Sequence, residues 1–151
     1  MIFQALPEDQ LLGLCIDREA RGEWEAGRIA VGSVVLNRVA WGKAHPRWGR
    51  LYGDSVPSVI LAPKQFSWTI ANRLDPNYIG AMEIALDFTA ALRNPEFGPW
   101  LKECYGLAKG LLAGTIQPNT TALYYHEKSI RPAWARKKRP LIEIGRHVFY
   151  A

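Results

Sequence analysis

Cysteine is scarce in this sequence of 151 residues, and its scarcity excludes two classes of small protein. The two cysteines, Cys15 and Cys104, lie far apart, each within an apolar helical pattern. Disulfide-dependent secreted domains carry many more cysteines, and thiolate zinc sites need closely spaced pairs. The sequence therefore predicts two buried thiols, although a pairing between them stays open.

Long apolar runs are also missing. No stretch approaches the roughly 20 apolar residues that a membrane-spanning helix needs. The first residues lack the basic segment and the long apolar segment of a secretory signal. We therefore expect synthesis in the cytoplasm without an export signal of the chain's own.

Acidic residues are the minority among the charged ones. The chain has 19 lysines and arginines against 14 aspartates and glutamates, which gives a net charge of +5. A positive balance favours an anionic partner, and nucleic acid, teichoic acid, lipopolysaccharide and peptidoglycan carboxylates all qualify. The sign of the charge does not distinguish these partners.

Aromatic and apolar residues, by contrast, are plentiful. Hydrophobic residues make up 48% of the chain and charged residues 22%, a composition that excludes disorder and is typical of a folded domain. The length fits one domain over residues 1–151. Six tryptophans and six tyrosines suit a groove for sugar rings or bases, although core packing is the commoner use.

Apolar spacing predicts a mainly helical chain with strands near its C-terminus. Helices are predicted over these ranges: 8–20, about 23–40, 76–93 and 99–113. Residues 41–63, rich in proline and glycine, are predicted to form a long irregular loop. Strands are predicted over 120–126 and, as one or two segments, over 142–150.

One carboxylate falls on the apolar face of the first predicted helix. Three apolar residues share that face with Glu19: Leu12, Cys15 and Ile16. Burial raises the pKa of a carboxyl group, which is what a general acid needs near neutral pH. Glu19 is therefore a candidate proton donor, and the alternative is a structural ion pair with Arg18 or Arg21.

Six short motifs follow one another along the chain. They are Glu19-Ala20-Arg21-Gly22-Glu23, Val34-Val35-Leu36-Asn37-Arg38-Val39, Gln65-Phe66-Ser67, Ala122-Leu123-Tyr124-Tyr125-His126, Pro132-Ala133-Trp134 and Ile144-Gly145-Arg146-His147-Val148-Phe149-Tyr150. In this order they resemble the SleB/CwlJ-type cell-wall hydrolases, which include spore-cortex-lytic enzymes and some phage endolysins. The resemblance covers nearly the whole chain and implies a single catalytic domain over residues 1–151.

The resemblance implies a fold and an activity. The fold is α+β and lysozyme-like, mainly helical with a small antiparallel sheet near the C-terminus. The activity is cleavage of peptidoglycan between N-acetylmuramic acid and N-acetylglucosamine, with Glu19 as the catalytic acid and no cofactor. A lytic transglycosylase that leaves 1,6-anhydro ends is the leading expectation, and a hydrolytic muramidase on the same site is the alternative.

The resemblance also suggests a biological setting. We expect a monomeric phage endolysin that reaches the wall with external help such as a holin. One departure from the family pattern is Glu127, which stands where the family often has asparagine after the Tyr-Tyr-His strand. This departure leaves the nearby substrate contacts open.

A second carboxylate would assist a hydrolytic mechanism. Glu23, one helical turn after Glu19, is the leading candidate, and its alternative role is to cap the second helix. The other candidates are Asp17, Asp54, Asp75 and Glu143.

Eight residues are predicted to bind substrate. They are Gln65, Phe66, Ser67, Tyr124, Tyr125, His126, Trp134 and His147. Sugar rings pack on aromatic faces, and their amides and hydroxyls need polar partners. Strand alternation places Tyr124 and His126 on one side and Tyr125 on the other, so one tyrosine is expected in the cleft. No HExxH or CxxC spacing accompanies the histidines, so no metal site is predicted.

A basic run, Arg136, Lys137, Lys138 and Arg139, follows Trp134. We expect a solvated charge run, and the second interpretation is attraction to the anionic cell envelope. The competing hypothesis, from another functional class, is a nucleic-acid-binding module that uses this run. A third hypothesis is a metal-dependent amidase that cuts the peptide stem.

Overall fold

The computed structural model describes residues 2–151, in which helices dominate and a small sheet lies near the C-terminus. The helices are α1 (Glu8–Glu19), α2 (Glu25–Ala44), α3 (Pro46–Tyr52), α4 (Val56–Ile60), α5 (Pro76–Leu86), α6 (Phe88–Leu92) and α7 (Gly98–Ala113). The strands are β1 (Tyr124–Glu127), β2 (Ile142–Ile144) and β3 (His147–Tyr150). Within residues 2–151, no helix combines the length and the apolar character needed to cross a bilayer. The predicted α+β class is confirmed.

Helix α1 runs through the centre of the core. Pro7 precedes it, and Glu8 and Asp9 occupy its first turn, where the positive end of the helix dipole favours acids. Every residue from Leu11 to Asp17 is buried, and α1 packs against α2, α4, α5 and α7. Glu19 ends this helix and is therefore held at the edge of the core.

The loop predicted over residues 41–63 is wrong, because most of that segment is helical. Pro46 and Pro57 lie in the first turns of α3 and α4, where a proline ring fits without loss of a hydrogen bond. Gly42 lets α2 cross the following segment closely, since a Cβ there would collide with the carbonyl oxygen of Gly53. These two prolines therefore begin helices, and this glycine allows a close backbone contact; none of the three marks a loop.

The helix predicted over residues 76–93 is divided in two at Asp87. The Asp87 side chain accepts a hydrogen bond from the Ala90 backbone N–H at 3.0 Å and so caps α6. The helix predicted over residues 99–113 is confirmed as α7, which Gly114 ends in the left-handed conformation with φ of 77°.

The three strands form an antiparallel sheet in the order β1-β3-β2. Strand β1 begins at Tyr124, later than predicted, because residues before it are hydrogen-bonded to a side chain of α2 instead. The Asn37 amide in α2 donates to the carbonyl oxygens of Thr120 at 2.8 Å and Ala122 at 2.9 Å. Asn37 thus fastens the entry of the sheet to α2.

The two faces of the sheet meet different neighbours. Phe149 packs with Ala30 and Val34 of α2 on one face. Val148 and Tyr150 pack with Ala135 on the other. The register places Tyr125 opposite Phe149 and Glu127 opposite His147, so these four side chains share the face toward the helices.

Candidate active site

Glu19 lies where the end of α1 meets strand β1. The Tyr125 hydroxyl donates a hydrogen bond of 2.7 Å to Glu19 Oε2. Cys15 and Ile16, which precede Glu19 on α1, are fully buried and set the side chain toward the sheet. Of the two arginines considered as structural partners, Arg18 instead pairs with Asp17 at 2.6 Å.

The surroundings of Glu19 favour its protonated form. Burial raises the pKa of Glu19, and the negative charge of Glu127 acts in the same direction. The Tyr125 hydroxyl, the Arg38 guanidinium and the Trp68 indole oppose the rise without cancelling it. Glu19 therefore keeps its proton to a higher pH than an exposed glutamic acid does, which suits a general acid.

Arg38 joins three parts of the site. From α2 its Nε donates to the Leu123 carbonyl oxygen at 2.6 Å, and its Nη1 donates to Gln65 Oε1 at 3.1 Å. Its Cζ lies 5.6 Å from the centre of the Tyr124 ring. Burial lowers the pKa of Arg38, and nearby Tyr125 and Glu19 offset part of this effect. The guanidinium thus positions the Gln65 amide and the start of β1 around the carboxyl group.

Tyr125 also forms part of the wall of an open cleft of about 420 Å³. The residues that line it are Arg38, Lys64, Gln65, Tyr124, Tyr125, Trp134 and Lys138. The Tyr124 ring lies 5.6 Å from Trp134 and 6.4 Å from Trp48, measured between ring centres. This row of aromatic rings beside polar groups is the combination that sugar binding requires. Both tyrosines reach the cleft, so the expectation that only one does was wrong.

Glu23 is held at the turn between β2 and β3. Its side chain is only 3% exposed, and Oε1 accepts a hydrogen bond from the Arg146 backbone N–H at 3.0 Å. His147 Nδ1 lies 3.3 Å from the same oxygen. The carboxylate also occupies the space that a Cβ on Gly145 would fill. Glu23 makes no capping hydrogen bond to α2 and instead fixes the turn.

His147 connects Glu23 with Tyr125. The His147 ring is buried and packs edge-on against the Tyr125 ring, with 5.1 Å between the ring centres and an interplanar angle of 85°. Burial lowers the pKa of His147, while Glu23 and Glu127 act to raise it. Glu23, His147 and Tyr125 therefore form a chain of contacts that ends at the carboxyl group of Glu19.

Three other predicted binding residues lie around the cleft rather than in its lining. Phe66 is 3% exposed and belongs to the hydrophobic core. Ser67 is exposed at the start of a 3-10 turn. His126 Nε2 lies 2.8 Å from the Tyr150 hydroxyl, with the two rings stacked.

Three residues near the cleft had no predicted site role: Arg38, Lys64 and Glu127. Strand alternation could have found Glu127, because it lies two residues after Tyr125 and so shares its face. Trp48 and Lys64 are brought to the cleft only by the packing of α3 and of the segment after α4.

Titratable side chains elsewhere are dispersed. No group of three or more histidine, cysteine, aspartate or glutamate side chains within residues 2–151 is arranged to hold a metal ion. Cys15 and Cys104 are both buried free thiols, as predicted. Burial raises the pKa of Cys104 to about 12 and that of Cys15 in the same direction, so both remain protonated.

Sequence comparison identifies relatives of this chain. A family model described as Cell Wall Hydrolase matches residues 22–150, a segment that begins three residues after Glu19. The spore cortex-lytic enzyme of Oceanobacillus iheyensis is 27% identical over 143 residues, which cover 93% of this chain and 40% of that protein. This chain therefore spans less than half the length of that curated relative.

Two solved structures share the fold. One is the catalytic domain of the germination-specific lytic transglycosylase SleB from Bacillus anthracis, with a TM-score of 0.61 and 22% identity over 95% of this chain and 93% of that one. The other is the catalytic domain of the Bacillus cereus SleB protein, with a TM-score of 0.58 and 23% identity over 95% of this chain and 89% of that one. The predicted lysozyme-like architecture is thereby confirmed. Since the family model covers most of its length, this chain belongs to the cell wall hydrolase family.

Proposed function

We propose that this chain is a peptidoglycan-degrading glycosidase that cleaves between N-acetylmuramic acid and N-acetylglucosamine, with Glu19 as its general acid. The observation that carries the proposal is that the Glu19 carboxyl group has a raised pKa and accepts a hydrogen bond from Tyr125, which lines an aromatic cleft. Family membership and the likeness to a structure described as a lytic transglycosylase support it. The domain from residue 1 to 151 is proposed to act as one catalytic unit.

The proposed reaction needs a single carboxyl group. Glu19 gives its proton to the glycosidic oxygen, the bond from that oxygen to C1 of the muramic acid breaks, and an oxocarbenium-like centre develops at C1. The resulting Glu19 carboxylate then accepts the proton of the C6 hydroxyl as its oxygen attacks C1. The product has a 1,6-anhydro end, and Glu19 regains its proton for the next cycle.

Two observations bear on hydrolysis at the same site as an alternative. Glu23, the leading candidate for a second carboxylate, is bound by Arg146 and packed beside His147, which favours a single-carboxylate mechanism. Glu127, however, is exposed and shares a strand face with Tyr125, so it is a candidate to orient a water molecule. Mass spectrometry of fragments released from purified peptidoglycan decides between transglycosylation and hydrolysis. Anhydro ends support transglycosylation, reducing ends support a muramidase, and free stem peptides would contradict both in favour of an amidase.

The first prediction concerns the proton donor. Glu19→Gln is expected to reduce the release of soluble fragments from purified peptidoglycan by at least about 100-fold, because an amide cannot donate the required proton. Turbidity loss of wall suspensions measures the effect. Glu8→Gln is the matched control, since it removes an exposed carboxylate from the first turn of the same helix.

Thermal stability shows whether Glu19→Gln loses activity because it unfolds or because it lacks the proton. A carboxyl group with a raised pKa in the folded state destabilises the fold as pH rises through that pKa, because the folded state must give up a proton it holds more tightly. Glu19→Gln should therefore melt no lower than the parent protein at neutral pH. Undiminished fragment release by a folded Glu19→Gln variant would remove Glu19 from the mechanism.

We propose further that the protein acts as a monomeric endolysin, made in the host cytoplasm and brought to the wall by a holin. The family resemblance, which takes in phage endolysins, supports this setting. Expression in a bacterial host with and without a holin is the test, and lysis only with the holin is expected. A gel shift addresses the competing hypothesis, because tight and salt-sensitive binding of DNA without wall lysis would favour a nucleic-acid-binding module.

A further inference from the structure

The candidate cleft is lined by three cations, a feature that the proposed bond cleavage does not use. Arg38, Lys64 and Lys138 contribute to its lining, and the described residues that line it include no carboxylate. The ion pairs found within residues 2–151 involve other arginines and lysines. The cleft therefore presents three cationic side chains that form no ion pair with an aspartate or glutamate within residues 2–151.

Lys138 is directed into this cleft although it belongs to an exposed basic run. Its Nζ lies 4.6 Å from the centre of the Tyr124 ring and donates to the Ala151 carbonyl oxygen at 3.1 Å. An ammonium group has three donors, so others remain for a ligand. These contacts fix the ammonium group beside the aromatic wall instead of leaving it free in solvent.

Lys64 also lines the cleft, next to Gln65, and has an unusual backbone conformation. Its φ of 62° lies in the left-handed region, which a residue with a Cβ adopts rarely. Lys64 follows Pro63 at the centre of a turn, which the Gln65 backbone N–H closes by donating to the Ala62 carbonyl oxygen at 3.2 Å. This turn holds the exposed Lys64 side chain at the wall of the cleft.

The chemistry of the proposed substrate identifies the anion. The sugar rings of a peptidoglycan strand are neutral, and its carboxylates lie on the peptide attached to the muramic acid. From this, and resting on the proposed function, we infer that Lys64 and Lys138 bind a carboxylate of that stem peptide next to the bond that is cut. The enzyme should then prefer glycan strands that carry peptides with free carboxylates over strands whose peptide carboxylates are amidated.

Binding to a catalytically inactive protein tests this preference directly. In the Glu19→Gln background, soluble glycan fragments with intact stem peptides are compared with the same fragments after conversion of their carboxylates to amides. Quenching of tryptophan fluorescence gives the dissociation constant, because Trp134 lines the cleft. The amidated fragments are expected to bind about fivefold more weakly, the effect of losing two partly exposed ion pairs.

The lysines are tested by a double variant and a matched control. Lys64→Gln with Lys138→Gln should weaken binding of the free-carboxylate fragments about fivefold and leave binding of the amidated fragments unchanged. Lys43→Gln with Lys102→Gln removes the same charge from exposed positions outside the cleft and should change neither affinity.

Three outcomes would overturn the inference. They are equal binding of both kinds of fragment, a loss in the double variant that is the same for both, and displacement of the fragments by a glycerol phosphate oligomer at lower concentrations than by free-carboxylate fragments. The last outcome would assign the cations to phosphate in wall polymers. Turnover by the parent protein is scored separately: cleavage of amidated strands at the same rate would refute the preference alone, while absence of cleavage in every substrate would refute the proposed function.

Discussion

At the scale of single residues, the neighbours of Glu19 shift its pKa in opposite directions. Burial and the charge of Glu127 raise its pKa, while Tyr125, Arg38 and Trp68 lower it. A general acid works only while protonated, so activity should fall as the pH rises through the pKa of Glu19. Substitutions of these neighbours should therefore move the basic limb of the pH profile in directions that their charges and hydrogen bonds fix.

Tyr125→Phe should move the basic limb to higher pH. The hydroxyl donates to the ionised carboxylate and stabilises it, so its removal raises the pKa of Glu19 further. The ring is retained, which preserves its contacts with His147 and Phe149. The pH dependence of kcat/KM on soluble glycan fragments measures the shift, and a limb that moves to lower pH would contradict the role of the hydroxyl.

Glu127→Gln should move the same limb in the other direction. Its negative charge raises the pKa of Glu19, so a neutral side chain of the same shape lets Glu19 ionise at lower pH. Glu143→Gln serves as the control, because Glu143 is exposed and paired with Lys128 at 2.9 Å. If Glu127 also orients a water molecule, the variant loses reducing-end products, which product analysis detects.

At the scale of structural elements, the turn between β2 and β3 is built around the Glu23 carboxylate. Gly145 has φ of 57°, and a Cβ there would collide with that carboxylate. Glu23 in turn lies beside His147, whose ring contacts Tyr125. The geometry of this one turn is therefore linked through four successive contacts to Glu19, the last being its hydrogen bond with Tyr125.

Gly145→Ala should destabilise the protein by about 1–3 kcal/mol, because it combines an unfavourable φ with displacement of Glu23. Gly106→Ala is the matched control. A Cβ there meets nothing within 4 Å and replaces a glycine inside α7, which should stabilise the fold by up to about 1 kcal/mol. Urea unfolding followed by circular dichroism measures both, and equal effects would argue against the Glu23 contact.

At the scale of the whole molecule, the positive charge is spread over a surface wider than the cleft. The net charge is +5, and the basic run from Arg136 to Arg139 is exposed throughout. Attraction between exposed charges is screened by salt over about 10 Å at 0.1 M. The run should therefore add a salt-sensitive attraction to an acidic wall, separate from recognition inside the cleft.

Combined Arg136→Gln, Lys137→Gln and Arg139→Gln substitutions should reduce sedimentation of the Glu19→Gln protein with purified walls. The reduction should be several-fold at low salt and should nearly vanish at about 0.5 M salt, where screening removes the same attraction from the unsubstituted run. Soluble glycan fragments should show a smaller change, because their binding depends on the cleft. Equal losses at low and high salt would contradict an electrostatic role.

Local patterns in the sequence determined much of this fold. The acids in the first turn of α1 and the apolar spacing of α1 and α7 predicted where those helices lie, because each signal is confined to neighbouring residues. Alternation predicted strand β1 but not its first residue. The placement of Glu19 on an apolar helical face followed from the same periodicity. Proline and glycine were ambiguous between loops and helix starts, and this ambiguity explains the wrong loop over residues 41–63.

Only the tertiary structure decided which side chains meet. Tyr125 lies 106 positions after Glu19, and Gln65 lies 27 positions after Arg38, yet hydrogen bonds join each pair. No local pattern encodes such contacts, because they depend on how α1, α2 and the sheet pack. The same packing places the Glu23 carboxylate at the turn between β2 and β3, and it places Lys64 and Lys138 in the lining of one cleft. The sequence by itself determined α1, α7 and the acidic candidate, because their signals are local. The packing of distant segments determined the neighbours of Glu19, the direction of its pKa shift and the positive charge of the nearby cleft.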